Sequence, residues 1–79
     1  MEEYLKVSNT YINLDIEVSA ESVDEAAIKC YEIYKNLYDH KTDPGISFVY
    51  QGKELYMVGE YKEQTREELI EEFTRKLSQ

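Results

Sequence analysis

Residues 11–38, YINLDIEVSAESVDEAAIKCYEIYKNLY, decide the fold because the spacing of their apolar side chains changes midway. As far as Val18 the apolar and polar residues alternate strictly, whereas beyond Ser22 the apolar residues recur every three or four positions. The first spacing is that of a strand and the second is that of an amphipathic helix. The segment therefore predicts a half-buried β-strand over residues 11–18, followed by a helix.

The residues before this strand are also β-rich, and two arrangements fit them. Residues 4–7 either pair with residues 11–18 as a hairpin through residues 8–10, or extend the same strand with an irregularity at those three positions. Of these two arrangements, we favour one long, interrupted strand.

The first helix has sequence signals at both ends. Ser22 and Glu25 have the spacing of a capping box, in which each side chain accepts a hydrogen bond from the backbone N–H of the other residue. The helix is expected to end near His40, because residues 43–45, Asp-Pro-Gly, favour a turn. The stripe predicted to face the core consists of Val23, Ala26, Ala27, Cys30, Tyr31, Ile33, Tyr34, Leu37 and Tyr38.

The second half of the chain predicts a hairpin and another helix. Residues 46–50 and 55–61 are β-rich runs, and the connecting residues 51–54 include a glycine suited to a tight reversal. A second capping-box sequence at residues 65–68 starts a helix whose apolar stripe extends to Leu77.

The order strand, helix, strand, strand, helix predicts an α+β fold, a two-layer sandwich with a small antiparallel sheet and both helices on one face. Residues 1–79 are expected to form this single domain. A split βαβ unit that lacks its last strand satisfies the order. In that arrangement the first strand pairs with the third strand, residues 55–61, and one sheet edge stays open.

Composition restricts the partners more than it restricts the chemistry. Seventeen Asp and Glu against nine Lys and Arg give a formal charge of -8, which argues against direct binding to nucleic acid or anionic membranes and favours basic proteins. A hydrophobic fraction of 42% is typical of a folded domain. The sequence has neither a signal-peptide pattern nor a run of ~20 apolar residues, so we expect a cytoplasmic protein.

The reactive residue types are sparse. Cys30 is the only cysteine and lies on the apolar stripe, where a thiol packs as a small hydrophobe. His40 is the only histidine, and its position near a helix C-terminus favours a structural role. These two residues are too few for a structural zinc site. We therefore expect no enzyme activity, no metal and no cofactor.

The last helix contains a regular row of acids. Glu67, Glu68, Glu71 and Glu72 lie within about one and a half turns, and such a row can imitate a stretch of phosphate backbone. Further acids could lead into or extend this field: Glu60, Glu63, Asp15, Glu17, Asp24, Glu25 and Glu32.

The uncovered face of the sheet is a second candidate surface. Alternation turns Tyr11, Val49, Tyr56 and Val58 away from the helices. Tyrosine is enriched at protein interfaces, because its rigid ring supplies a large contact area at low entropic cost. We interpret these four residues as a dimer or partner interface, since a chain this short buries only about 60% of its surface and gains from dimerisation.

A small acidic α+β domain of this kind resembles the DNA-mimic inhibitors that bacteriophages direct against host DNA-binding proteins, including those that block the nucleoid protein HU. The resemblance covers size, charge and single-domain layout. It implies a homodimer in the host cytoplasm that occupies the DNA-binding surface of a basic protein, with Glu67, Glu68, Glu71 and Glu72 as the carried-over carboxylates. The alternative is an adaptor or regulatory domain that binds through the exposed sheet face or a strand edge.

Overall fold

A computed structural model gives the fold and describes residues 3–9, 13–37, 45–57 and 64–79. These ranges contain four strands and two helices. The elements are β1 (Tyr4–Asn9), β2 (Leu14–Ser19), α1 (Val23–Leu37), β3 (Ile46–Tyr50), β4 (Lys53–Met57) and α2 (Arg66–Ser78).

The strands form one antiparallel sheet in the order β2-β1-β3-β4. Both helices share a core with one face of this sheet, which confirms the predicted α+β fold. The expected pairing of the first strand with the third predicted strand was wrong, because β1 pairs with β3 and leaves β4 at the far edge. The reason is that the crossover through α1 starts at β2, which lies on one side of β1. The chain then returns on the other side of β1, where β3 takes the neighbouring position.

The N-terminal segment forms a hairpin, so the single interrupted strand that we favoured was wrong. β1 and β2 pair antiparallel, with Asn9 opposite Leu14 at the turn. Asn13 has φ 53, a left-handed conformation that asparagine tolerates well, and it lies directly before β2. The strand predicted over residues 11–18 corresponds to β2, which begins at Leu14. Residues 10–12 lie outside the described ranges.

The core lies between the helices and the inner face of the sheet. Leu5 lies opposite Tyr50 and Val7 lies opposite Phe48, and all four side chains are fully buried. Burying one large apolar side chain contributes about 1.5–3 kcal/mol, so this layer accounts for much of the stability. The buried residues are Leu5, Val7, Ala20, Ala26, Ala27, Cys30, Tyr34, Ile46, Phe48, Tyr50, Leu55, Met57, Leu69, Phe73 and Leu77.

Side-chain caps start both helices where the sequence predicts them. At α1 the backbone N–H of Glu25 donates to Ser22 Oγ at 3.1 Å, while the Glu25 carboxylate pairs with Lys29 Nζ at 3.2 Å. At α2 the capping box is complete. The N–H of Glu68 donates to Thr65 Oγ1 at 3.2 Å, and the N–H of Thr65 donates to Glu68 Oε1 at 2.9 Å. A cap of this kind contributes about 1 kcal/mol.

The hairpin of β3 and β4 is present, but its connection is shorter than predicted. Gln51 at φ 50 and Gly52 at φ 80 are both left-handed, as a two-residue type I′ turn requires. The twist of such a turn matches that of the strands, so pairing continues up to it and β4 begins at Lys53. The predicted strand residues 58–61 lie outside the described ranges.

β2 lies at one edge of the sheet. Since α1 packs against β3 and α2 packs against β4, the helices cover β2 less than they cover those two strands. Leu14, Ile16 and Val18 point to the helix side of the sheet. Leu14 and Val18 are only half-buried, and Ile16 is 42% exposed. The hydroxyl of Tyr50 donates to the backbone carbonyl of Ala20 at 2.8 Å and so ties the end of β2 to the core.

Candidate functional site

The carboxylate row of α2 lies on the side of the helix that faces away from the core. Glu67, Glu68 and Glu71 are exposed, and Glu72 is half-buried. Residues three and four apart on a helix have Cβ atoms about 5–6 Å apart, so these carboxylates form a closely spaced group. A shallow groove of about 440 Å³ runs along this face. Its lining consists of Gln64, Glu68, Glu71, Glu72 and Arg75.

Two members of the row are held by neighbours. The backbone N–H of Thr65 donates to the Glu68 carboxylate, and this bond, together with a hydrogen bond to the Thr65 side chain, lowers the pKa of Glu68. Glu72 pairs with Lys76 Nζ at 3.4 Å, which partly offsets its charge. Glu68 is thus a fixed anion that stays ionised in mild acid, whereas Glu72 adds less to the local field.

α1 adds acids to the same layer of the protein. Asp24 and Glu32 are exposed, while Glu25 is half-buried and paired with Lys29. Ile28 lies between Asp24 and Glu32 on the helix surface and is 36% exposed. Because α1 and α2 pack side by side, the acids of both helices belong to one helical layer.

Asp15 and Glu17 lie on the opposite side of the protein. Successive strand residues alternate between faces, so these two exposed carboxylates project from the uncovered face of the sheet. Glu17 lies directly opposite Lys6 on β1. The predicted binding acids that the structure describes therefore form two groups on opposite faces, and Glu60 and Glu63 lie outside the described ranges.

The uncovered sheet face carries an apolar diagonal. Val49 is half-buried and Tyr56 is 58% exposed, as their alternation predicts. Tyr4, which the sequence reasoning missed, is 51% exposed, and the strand register places it in line with Val49 and Tyr56 across β1, β3 and β4. The other two predicted interface residues, Tyr11 and Val58, lie outside the described ranges.

Tyr56 is held in place by a close approach to the backbone. A Cβ atom on Gly45 would lie 2.2 Å from Tyr56 Oη, so the ring occupies the space that a side chain would need. Gly45 has φ 77, and its carbonyl accepts a hydrogen bond from the Asn9 side chain. Beside it, Ser47 Oγ donates to Glu54 Oε2 at 2.7 Å. The close approach to Gly45 restricts the Tyr56 ring, and the bond from Ser47 to Glu54 links β3 to β4 on the same face.

The described part of the chain has little reactive chemistry. Burial raises the pKa of Cys30 to about 12, which keeps this residue in the thiol form. His40 lies outside the described ranges. Within those ranges, no three His, Cys, Asp or Glu side chains are grouped so that they could hold a metal ion. None of the described helices has the length and apolar character needed to cross a membrane.

Comparisons of the chain with protein-family models, curated proteins and solved structures give no match.

Proposed function

We propose that this protein is a non-enzymatic acidic binding protein that mimics DNA phosphates and occupies the DNA-binding surface of a basic DNA-binding protein. The observation that carries the proposal is the face of α2 on which Glu67, Glu68 and Glu71 are exposed together. A surface that binds DNA presents clustered Lys and Arg, and a closely spaced row of carboxylates is complementary to it.

The electrostatics of α2 favour such a complex. The helix spaces the carboxylates before any partner arrives, so little conformational freedom is lost on binding. The cap bond from Thr65 holds the Glu68 carboxylate in position and lowers its pKa, and the charge therefore persists below neutral pH. An overall charge of -8 steers basic partners over longer distances and accelerates their association.

The proposal also covers the setting and assembly of the protein. By its resemblance to phage DNA mimics, we assign it as a phage inhibitor of a host nucleoid protein such as HU, acting in the host cytoplasm. We further propose a homodimer that pairs the diagonal of Tyr4, Val49 and Tyr56 with its copy. That arrangement leaves the helical layers outward and doubles the charge available to the partner.

The test measures binding to purified HU at increasing ionic strength, together with displacement by duplex DNA. The double variant Glu67→Gln with Glu71→Gln removes two exposed charges and leaves the Glu68 cap intact. Its matched control, Glu3→Gln with Glu21→Gln, changes the net charge equally at exposed positions outside α2. Exposed charge pairs contribute about 0.2–1 kcal/mol each, so the α2 variant is expected to weaken binding about 2- to 30-fold more than the control does.

Three results would overturn the proposal: affinity that does not change with salt, binding that duplex DNA does not displace, or equal losses in the α2 variant and its control. Salt is informative because interactions between exposed charges are screened beyond about 10 Å at 0.1 M ionic strength.

The second candidate function is an adaptor that binds through the sheet face, favoured by the exposure of Tyr4 and Tyr56 on one diagonal. Tyr56→Ser discriminates between the two functions when the oligomeric state is measured in parallel by light scattering. Loss of partner binding at an unchanged oligomeric state, with no effect of the Glu67 and Glu71 substitutions, would favour the adaptor.

A further inference from the structure

The outer edge of β2 has backbone groups available for another strand. Among the described residues β2 pairs only with β1. The backbone N–H of Ala20 donates to the carbonyl of Glu3 at 2.8 Å, which continues the ladder of β1 and β2. Antiparallel ladders alternate bonded and non-bonded residue pairs. Ala20 belongs to a bonded pair, so Val18 and Ile16 belong to bonded pairs too. The N–H and C=O groups of the residues between them, Ser19, Glu17 and Asp15, therefore point away from β1.

Lys29 covers one end of this edge. Its Nζ donates to the carbonyl of Ser19, which agrees with an outward direction for that carbonyl. The same ammonium group pairs with Glu25 at 3.2 Å and is thereby held over the end of β2. A lysine at a strand edge hinders strand addition. Among the residues that the structure describes, the part of the edge that Lys29 does not cover is the stretch that contains Asp15 and Glu17.

The two sides of this edge differ in chemistry. On the helix side, Ile16 is 42% exposed between the half-buried Leu14 and Val18. On the other side, Asp15 and Glu17 are exposed. An added strand thus meets apolar side chains on one face of the sheet and carboxylates on the other.

A second copy of this chain does not suit the edge. Antiparallel pairing of two β2 strands centred on Ile16 places Asp15 opposite Glu17 of the copy, and like charges directly opposite each other are destabilising. A strand that alternates Lys or Arg with apolar residues gives the reverse pattern, because its cations lie opposite the two acids and its apolar residues lie beside Ile16.

We propose that the Asp15–Glu17 edge of β2 binds an extended segment of the basic partner, with alternating cationic and apolar residues, as an added antiparallel strand. This inference rests on the proposed function for the basic character of the partner. It adds a second contact on the sheet edge, where main-chain hydrogen bonds supply affinity and the alternating side chains supply specificity.

The direct test uses a nine-residue peptide of alternating Lys and Val with blocked termini, and hydrogen exchange of the full chain followed by NMR. Binding is expected to protect the amides of Asp15 and Glu17, which point outward, whereas those of Ile16 and Val18 are already bonded to β1. In the matched control peptide the backbone nitrogen of each Lys is methylated. This change keeps the side-chain charge but removes the backbone N–H groups that face β2. We expect this control peptide to bind at least about tenfold more weakly.

Matched variants of the protein separate position from net charge. Asp15→Asn with Glu17→Gln is expected to weaken binding of the alternating peptide about 2- to 30-fold, because each cross-strand charge pair contributes a modest amount. Asp24→Asn with Glu32→Gln removes the same charge from α1 and is expected to change it less than twofold. NMR spectra of the free variants verify that each retains the fold.

The outcomes distinguish this inference from the proposed function. Salt-dependent binding of HU and peptide, without protection of the Asp15 and Glu17 amides, overturns strand addition and leaves the DNA-mimic proposal standing. Equal peptide losses in the two double variants also overturn strand addition. If HU does not bind at all while the peptide protects the edge amides, the proposed function fails and the strand-binding edge is retained.

Discussion

Removing the hydroxyl of Tyr50 is expected to destabilise the fold and loosen β2. This residue is fully buried on β3, and its hydroxyl donates to the buried Ala20 carbonyl at 2.8 Å. Tyr50→Phe retains the ring but deprives that carbonyl of its donor. A buried acceptor left unsatisfied costs about 1–3 kcal/mol, whereas a chain of this length has a total stability of about 4–12 kcal/mol.

The assay is urea unfolding followed by circular dichroism, with Tyr56→Phe as the matched control. Tyr56 is 58% exposed, so loss of its hydroxyl is expected to change the free energy of unfolding by less than about 0.5 kcal/mol. In thermal unfolding, each 1 kcal/mol lowers the Tm by about 4–8 °C in a domain of this size. Equal stabilities for the two variants would refute the role assigned to the Tyr50 hydroxyl.

The same variant makes a prediction in alkaline solution. Burial raises the pKa of Tyr50, and the carboxylates of Glu3 and Glu25 raise it further. An unfolded tyrosine ionises near pH 10, so the unfolded chain loses this proton first. The contribution of Tyr50 is therefore fully present below about pH 10 and is lost as the pH rises through the folded value. Tyr50→Phe should show a smaller fall in stability above about pH 10 than the wild type, and an identical fall would contradict the assignment.

Three further substitutions or reactions test the local geometry. Gly45→Ala is expected to lower the free energy of unfolding in urea by at least about 1–2 kcal/mol, because φ 77 strains a side chain and the new Cβ meets the Tyr56 ring. Adding Tyr56→Ala to the same chain should recover part of this loss, and no recovery would exclude the clash. Cys30 is expected to resist Ellman's reagent in the native state and to react on unfolding, since burial raises its pKa to about 12; rapid native labelling would show that the thiol is accessible. Thr65→Ala removes the hydroxyl that accepts from the N–H of Glu68 and is expected to lower the free energy of unfolding by about 1 kcal/mol in urea unfolding. It is expected to raise the pKa of Glu68 only in part, because the backbone N–H of residue 65 still donates to the carboxylate, and an unchanged stability would show that the hydroxyl does not cap α2.

Local sequence patterns predicted the elements that depend on short-range physics. The complete capping box of Thr65 and Glu68 is one case, since both hydrogen bonds join residues three apart. The strand at residues 46–50 is another, because it alternates fully buried and half-buried side chains under the helices. These features required only the residue types and their spacing.

Strand pairing could not be read from the same patterns. The apolar residues Leu5 and Val7 suit either a separate strand or an extension of the next one, and the decision depends on the reversal that ends at Asn13 with φ 53. The missed Tyr4 follows from the same choice. Once Leu5 and Val7 face inward on a separate β1, alternation turns Tyr4 outward.

The two acidic groups depend on the fold to different extents, which gives a means to separate their roles. The spacing of Glu67 and Glu71 is set by helix geometry alone, so it persists wherever α2 remains helical. The edge at Asp15 and Glu17 requires β2 to stay aligned on β1, and the Tyr50 hydroxyl helps to hold the end of that strand through Ala20. Under conditions where Tyr50→Phe remains folded, a loosened β2 should therefore bind the alternating peptide less well, while salt-dependent attraction of a basic protein to α2 changes little.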